Sequence, residues 1–219
     1  MFRPFSLTHF VTVGLLIAIW IRVISWGLRR QGTQRLIQRE KQFASAYLLV
    51  WVAFHGWRLL PPNFDPARSL PIHICDLAAL LVPLALIWRR RYLVALLYFW
   101  GLGFSLQGLI TPDLNAGIGS PWFWLFWLHH ATIVGAALYI VIVHQFRPTR
   151  KDYRWAVRAG LCYLAFVFPL NAVFGFNYGY LGNLRSSQPS LLDWLGPWPW
   201  RVLAMVALAW LGMALLLAP

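Results

Sequence analysis

The sequence predicts an all-α fold: a polytopic membrane helical bundle of about seven transmembrane helices, N-terminus outside and C-terminus cytoplasmic. Three observations carry this. Of the 219 residues, 60% are hydrophobic and 11% are charged, the balance of a membrane protein rather than a soluble domain. Seven apolar stretches are long enough, or nearly so, to cross about 30 Å of hydrocarbon as helices. The basic residues gather in alternate connections between those stretches.

The spans are expected at about 9–28, 43–60, 71–88, 92–111, 122–144, 155–175 and 198–218, in a single transmembrane domain over 1–219. The first is too long, and lacks a small-residue cleavage site, for a signal peptide, so it is read as a retained span. Spans one and two are joined through Arg29, Arg30, Arg35, Arg39 and Lys41. Span three should begin at Pro71, since proline favours the first helical turn, and Pro83 should kink it. Arg89, Arg90 and Arg91 separate it from span four. Span five opens on Trp122-Phe123-Trp124-Leu125-Phe126-Trp127, read as interfacial, lipid-facing packing. Arg147, Arg150, Lys151, Arg154 and Arg158 surround the connection to span six. These alternate connections hold 13 of the 19 Lys and Arg, which sets the orientation. The opposite connections carry turn residues: Pro61 to Pro66, Thr111 to Asn115, and a long Trp- and Tyr-rich segment from Phe176 to Trp198 expected to fold back as a cap.

The net charge of +13 does not point to nucleic acid, because the charges sit in blocks between apolar runs. They read as anchors that can attract anionic headgroups. Cys75 and Cys162 lie near opposite ends of their spans and make no disulfide framework. Phosphate-loop, dinucleotide and GxSxG motifs are absent, and no cofactor is expected.

Polar residues cluster by depth. His9, His55, Arg58, His73, Cys75, Asp76, Gln107, Thr111, His129, His130, Asn171 and Asn177 all fall toward the outer ends of their spans. The inner halves contain little comparable besides Cys162 and His144. Convergence from several helices predicts an outward-facing cavity; the plainer alternative is interhelical hydrogen bonding that holds the bundle together. With Pro71 starting the helix, His73 and Cys75 point nearly opposite ways, so the base for Cys75 should come from another helix. His129 and His130 are the candidates, and only one of them can face a given interior line. A Cys–His pair activates the thiol and then protonates a leaving group. Asp76 or His73 could orient the base or substrate, and amides at the start of span three could hold an oxyanion. An inert buried cysteine is the commoner fate of a lone Cys. Zinc on His73, Cys75, Asp76 and His130 competes, but no CxxC or HExxH spacing supports it, so no metal is expected.

Three stretches together resemble the YwaF-type bacterial integral membrane family. They are Leu70 to Cys75, Thr111 to Leu114, and Asn177 to Leu181 followed by Ser190 to Trp200 with its Leu192-Asp193-Trp194-Leu195-Gly196-Pro197-Trp198-Pro199-Trp200 run. The likeness covers nearly the whole chain and extends to eukaryotic transmembrane phospholipid acyltransferases with a Cys/His pair. In plan it is also similar to the androgen-induced-gene type of Thr/His lipid hydrolases. It implies Cys75 as nucleophile and His130, followed by Ala131, as its base. The family pattern has glycine where this chain has Ala131 and an aromatic where it has Arg201. The implied function is an enzyme acting on lipid acyl esters, transferase or hydrolase, in a bacterial cell membrane. Its partners would be membrane lipids, an acyl donor and a lysolipid acceptor. Supporting or substrate-binding residues would be His73, Asp76, His129, Asp113, Asn171, Asn177, Tyr178, His9 and His55. The alternative is a small-molecule or ion transporter, or a lipid-binding membrane module, using the same cavity; the lack of a second acidic residue in the spans weakens a proton relay.

Overall fold

The structure is a computed structural model that describes residues 2–184 and 194–217. Among these residues the chain is all-helical, with seven helices and no strand. They are α1 (Leu7–Leu28), α2 (Gln34–Leu59), α3 (Ile74–Trp88), α4 (Arg91–Ile110), α5 (Pro121–Ile142), α6 (Arg150–Phe174) and α7 (Trp200–Leu215). By length and composition α1, α4, α5 and α6 can each cross a membrane, while α3 and α7 are shorter apolar helices. Large apolar side chains such as Leu15, Ile19, Leu49, Val52, Phe166, Val173, Leu203 and Leu211 are exposed on the outer helices. In water such a surface would aggregate; in a bilayer it is the lipid-facing one.

Local sequence sets the helix ends. Ser6, Thr33 and Ser120 accept backbone N–H bonds as N-caps of α1, α2 and α5, and Pro121 follows at the first helical position. Thr149 and Asp152 form a capping box at α6, and Gly175 ends it in the left-handed region, φ 69°.

The core lies between α3, α4 and α5, where Ala78, Ala79, Val82, Leu97, Phe99, Ile133, Val134 and Ala137 are buried. Small residues let the helices approach: a Cβ at Gly101 would press on Ala137 and Ile133. Within α4 the helix widens into a π turn, Gly101–Ser105, with the Leu106 N–H donating to the Gly101 carbonyl. The flanking helices are tied on through backbone acceptors. Trp20 of α1 donates to the Ala131 carbonyl at 3.1 Å, Trp51 of α2 to that of Asp76 at 3.2 Å, and Tyr98 of α4 to that of Leu216 at 2.8 Å.

Three expectations need correction. Helix α3 starts at Ile74 with His73 as its N-cap, not at Pro71. The residues ahead of it are held out of the helix: the Tyr163 hydroxyl donates to the Ile72 carbonyl at 2.9 Å, and the Leu70 N–H donates to the Tyr178 hydroxyl at 3.1 Å. The Trp-rich run is not uniformly lipid-facing. Trp122 and Trp124 are exposed, but Phe123 and Trp127, one turn apart on the inward face, are buried against Phe2 and His9. The inner ends are not poor in polar structure either. Helix α2 begins nine residues before the expected span and carries Glu40 into the interior, where Arg89, Tyr139 and His144 bond to its carboxylate. Nearby, Arg91 pairs with Asp152 at 2.6 Å.

Candidate functional site

At the end of the bundle where α3 begins lies a cavity of about 1130 Å³. Helices α2 to α7 and the segment after α6 all contribute to its wall. Its polar residues include His55, Arg58, His73, Cys75, Asp76, Gln107, Thr111, Asp113, His129 and His130. The remaining wall is largely aliphatic and aromatic, with Phe104, Leu125, Phe126, Leu164, Met205 and Leu208 among it.

Cys75 sits in the first turn of α3. Its Sγ meets the Ser105 hydroxyl at 3.7 Å, and Ser105 is fully buried on the π turn of α4. That residue was not singled out in the sequence. A serine in an apolar span carries little signal, and the π turn that aims it depends on packing against α3 and α5. His73 offers no side-chain cap to α3, so the first-turn amides beside Cys75 are not engaged by it.

The two adjacent histidines of α5 have different neighbours. His130 is buried, and its Nδ1 lies 2.9 Å from the Phe126 carbonyl. A carbonyl only accepts, so Nδ1 carries the proton and Nε2 presents a lone pair. The ring rests on Gly108, where any Cβ would collide with Cδ2 and Nε2. Gly108 lies on the helix that also carries Ser105, so α4 spans the distance between the thiol and this imidazole. His129 instead turns toward α3, where its Nε2 lies 3.8 Å from Asp76 Oδ1. From α2, His55 Nε2 lies 3.9 Å from the same oxygen.

His73 and Asp113 belong to the wall and anchor the segment after α6. The Gly179 N–H donates to His73 Nδ1 at 3.3 Å, and the Tyr180 hydroxyl to Asp113 Oδ2 at 3.3 Å. Gly179, Tyr180, Leu181 and Leu195 themselves line the cavity. The middle of the expected cap, 185–193, including the Ser190 to Asp193 part of the motif, lies outside the described residues.

Four sequence candidates do not line the cavity: His9, Asn171, Asn177 and Tyr178. Backbone groups engage them instead. His9 accepts from the Phe5 N–H at 2.9 Å and donates through Nε2 to the Leu109 carbonyl at 2.9 Å. Asn171 bonds both the N–H and the carbonyl of Tyr178, at 2.9 and 2.8 Å. Asn177 accepts from the Gly182 N–H at 3.0 Å. Tyr178, fully buried, donates to the Pro66 carbonyl at 2.7 Å. Among the described residues no group of three His, Cys, Asp or Glu is placed to hold a metal ion.

Fold and site together define an all-helical membrane protein with a large cavity walled by several helices. Residues 4–217 match the TMEM164 family, and the chain belongs to that family of membrane proteins. No curated protein and no solved structure matched the chain.

Proposed function

We propose that the protein is an integral membrane enzyme that acts on lipid acyl esters, with Cys75 as nucleophile and His130 as its base. The observation that carries the reading is that thiol and imidazole share one largely apolar cavity of about 1130 Å³, large enough for an acyl chain. The YwaF-type resemblance, with its kinship to Cys/His phospholipid acyltransferases, implies Cys75 and His130 among the residues of that cavity.

Each part has a chemical task. His130, with Nε2 unprotonated, takes the thiol proton, and the Ser105 hydroxyl stabilises the sulfur as charge develops. Sulfur attacks the acyl carbonyl carbon, and the first-turn amides of α3, which His73 does not cap, would receive the oxyanion. The C–O bond breaks, and the leaving alkoxide takes its proton from His130. The thioester then passes its acyl group to a lysolipid hydroxyl in transfer, or to water in hydrolysis. Gly179, Tyr180, Leu181 and Leu195, which line the cavity, limit water entry. The cavity opens toward the outer face of a cell membrane, with the arginine-rich end in the cytoplasm.

The test is labelling in lipid with a thiol-reactive, acyl-mimetic probe, followed by mass spectrometry of the modified peptide. Selective labelling of Cys75 that falls in His130→Ala, with Cys162 silent, supports the mechanism. Lipid turnover that survives in both Cys75→Ala and His130→Ala would sink it. Retained function in Cys75→Ser together with substrate flux in proteoliposomes would establish transport instead.

A further inference from the structure

We infer that His129 and Asp76, with His55, form a second acid–base site in this cavity that binds and deprotonates the acyl-accepting hydroxyl. The inference rests on the acyl-ester reading above, in which His130 serves the thiol.

The starting observation is a convergence of three helices on one carboxylate. His55 of α2 and His129 of α5 approach the same oxygen of Asp76 on α3, at 3.9 and 3.8 Å. Both distances are too long for a direct hydrogen bond. Buried polar atoms in proteins are almost always paired. Yet Asp76 Oδ2 and both ring nitrogens of His55 are buried without a hydrogen-bond partner among the described residues. His55 is only 3% exposed, and it packs on Trp51 with ring centroids 4.3 Å apart. Trp51 in turn donates to the Asp76 carbonyl and fixes the turn that carries the carboxylate. All three polar residues belong to the cavity wall, so the partner they are built for comes from the cavity. An acceptor O–H suits them: imidazole nitrogen and carboxylate oxygen both accept a proton, and neither demands a charged ligand.

Geometry also divides the work between the paired histidines. Adjacent residues on a helix point about 100° apart. His130 faces Gly108 on α4, whereas His129 faces Asp76 on α3. His129 therefore lies beside Asp76, the residue next to the one that bears the thioester, on a different side of α5 from His130. In the second half-reaction the acceptor oxygen bonds to the acyl carbon while its proton passes to His129. Asp76, a positioning residue, orients the ring and balances the imidazolium. The C–S bond breaks, and the proton returns to Sγ. The sum is thioester plus alcohol giving ester plus thiol, with no other reactant.

The experiment separates the two halves. Protein in phosphatidylcholine nanodiscs is given p-nitrophenyl palmitate as donor and lysophosphatidylcholine as acceptor. Nitrophenol release is followed, and palmitoyl-Cys75 is measured by intact mass. His129→Ala and Asp76→Asn should give a burst of about one equivalent and then retain palmitoyl-Cys75. Their subsequent turnover should fall by about 10²-fold or more. Added imidazole should restore deacylation in His129→Ala, and Asp76→Glu should recover part of it, neither of which a purely structural role explains. If His129→Ala fails to fold by thermal unfolding, His129→Gln takes its place. Deacylation at the wild-type rate in folded Asp76→Asn and His129 variants would overturn the second site while leaving the acyl-enzyme intact. Absence of palmitoyl-Cys75 from every protein, wild type included, would overturn the acyl-ester reading itself.

Discussion

Two small residues of α4, Ser105 and Gly108, set the geometry around the proposed pair. Ser105 contributes one hydrogen bond to the Cys75 sulfur. Ser105→Ala should therefore cost about 1 kcal/mol of thiolate stabilisation, a several-fold slower rate of Cys75 labelling, with unfolding little changed. Gly108 has the opposite role: it provides the absence of a side chain. Gly108→Ala places a methyl group against the His130 ring, which must move. Misplacement of a base by about 1 Å costs on the order of 10²-fold in rate. Burst kinetics on this variant should show that loss, with thermal unfolding reporting only the overpacking, about 1–3 kcal/mol. A burst at the wild-type rate would mean that His130 does not serve the thiol.

At the scale of elements, polar side chains fix where segments end and how helices meet. Asn171 pins the turn after α6 by both backbone groups of Tyr178. Asn171→Ala leaves those groups buried and unpaired, so it should destabilise by about 1–3 kcal/mol for each lost partner. Since Gly179 and Tyr180 follow at once and line the cavity, thiol labelling at Cys75 should become less selective as well. At the other end, Glu40 joins α2 to Arg89 at the end of α3 and to Tyr139 and His144 at the end of α5. Burial pushes its carboxyl up, but bonds from His144 and Tyr139 and the charges of His144 and Arg89 outweigh burial, and the net direction is down from 4.5. A carboxylate lowered on folding adds stability that is complete above its ordinary value and lost as pH falls through the folded value. Thermal stability should therefore decline below about pH 4.5 in the wild type. Glu40→Gln should be less stable at pH 7, by about 1–3 kcal/mol since Arg89 is partly exposed, and should show a flatter acid profile. Equal acid sensitivity in the variant would assign the effect to other carboxylates.

For the whole molecule, two ends of different chemistry follow from the bundle. One carries the cavity; the other carries the arginine-rich connections and the Glu40 cluster. The proposed orientation, which rests on the distribution of basic residues, puts the second end in the cytoplasm. In a Cys75→Ser/Cys162→Ser background, an impermeant maleimide applied to intact cells should label Gly119→Cys, near the cavity end, and should not label Arg35→Cys until the membrane is opened. Both positions are exposed in the structure, so the contrast reads sidedness rather than burial. The reverse pattern would invert the proposed orientation and place the cavity on the cytoplasmic side.

The all-helical class, the positions of the apolar helices and the polar character of one end are legible from sequence because they follow from composition and run length. A helix must bury or solvate its side chains according to their chemistry, and this holds segment by segment. The pairing of His55 and His129 around Asp76 is not a local property. Nor is the contact of Ser105 with Cys75, the seat of His130 on Gly108, or the diversion of His9, Asn171, Asn177 and Tyr178 into backbone bonding. Periodicity tells which residues share a helix face, but not which face of which other helix they meet. The start of α3 shows the limit most clearly. Pro71 was a reasonable first residue by propensity, yet Tyr163 and Tyr178, about 90 residues or more away in the chain, hold the backbone extended and delay the helix to Ile74. By itself the sequence determined the solvent each segment seeks. Tertiary packing decided which polar groups of those segments face one another, because that depends on helix rotation and separation, set by contacts between residues far apart in the chain.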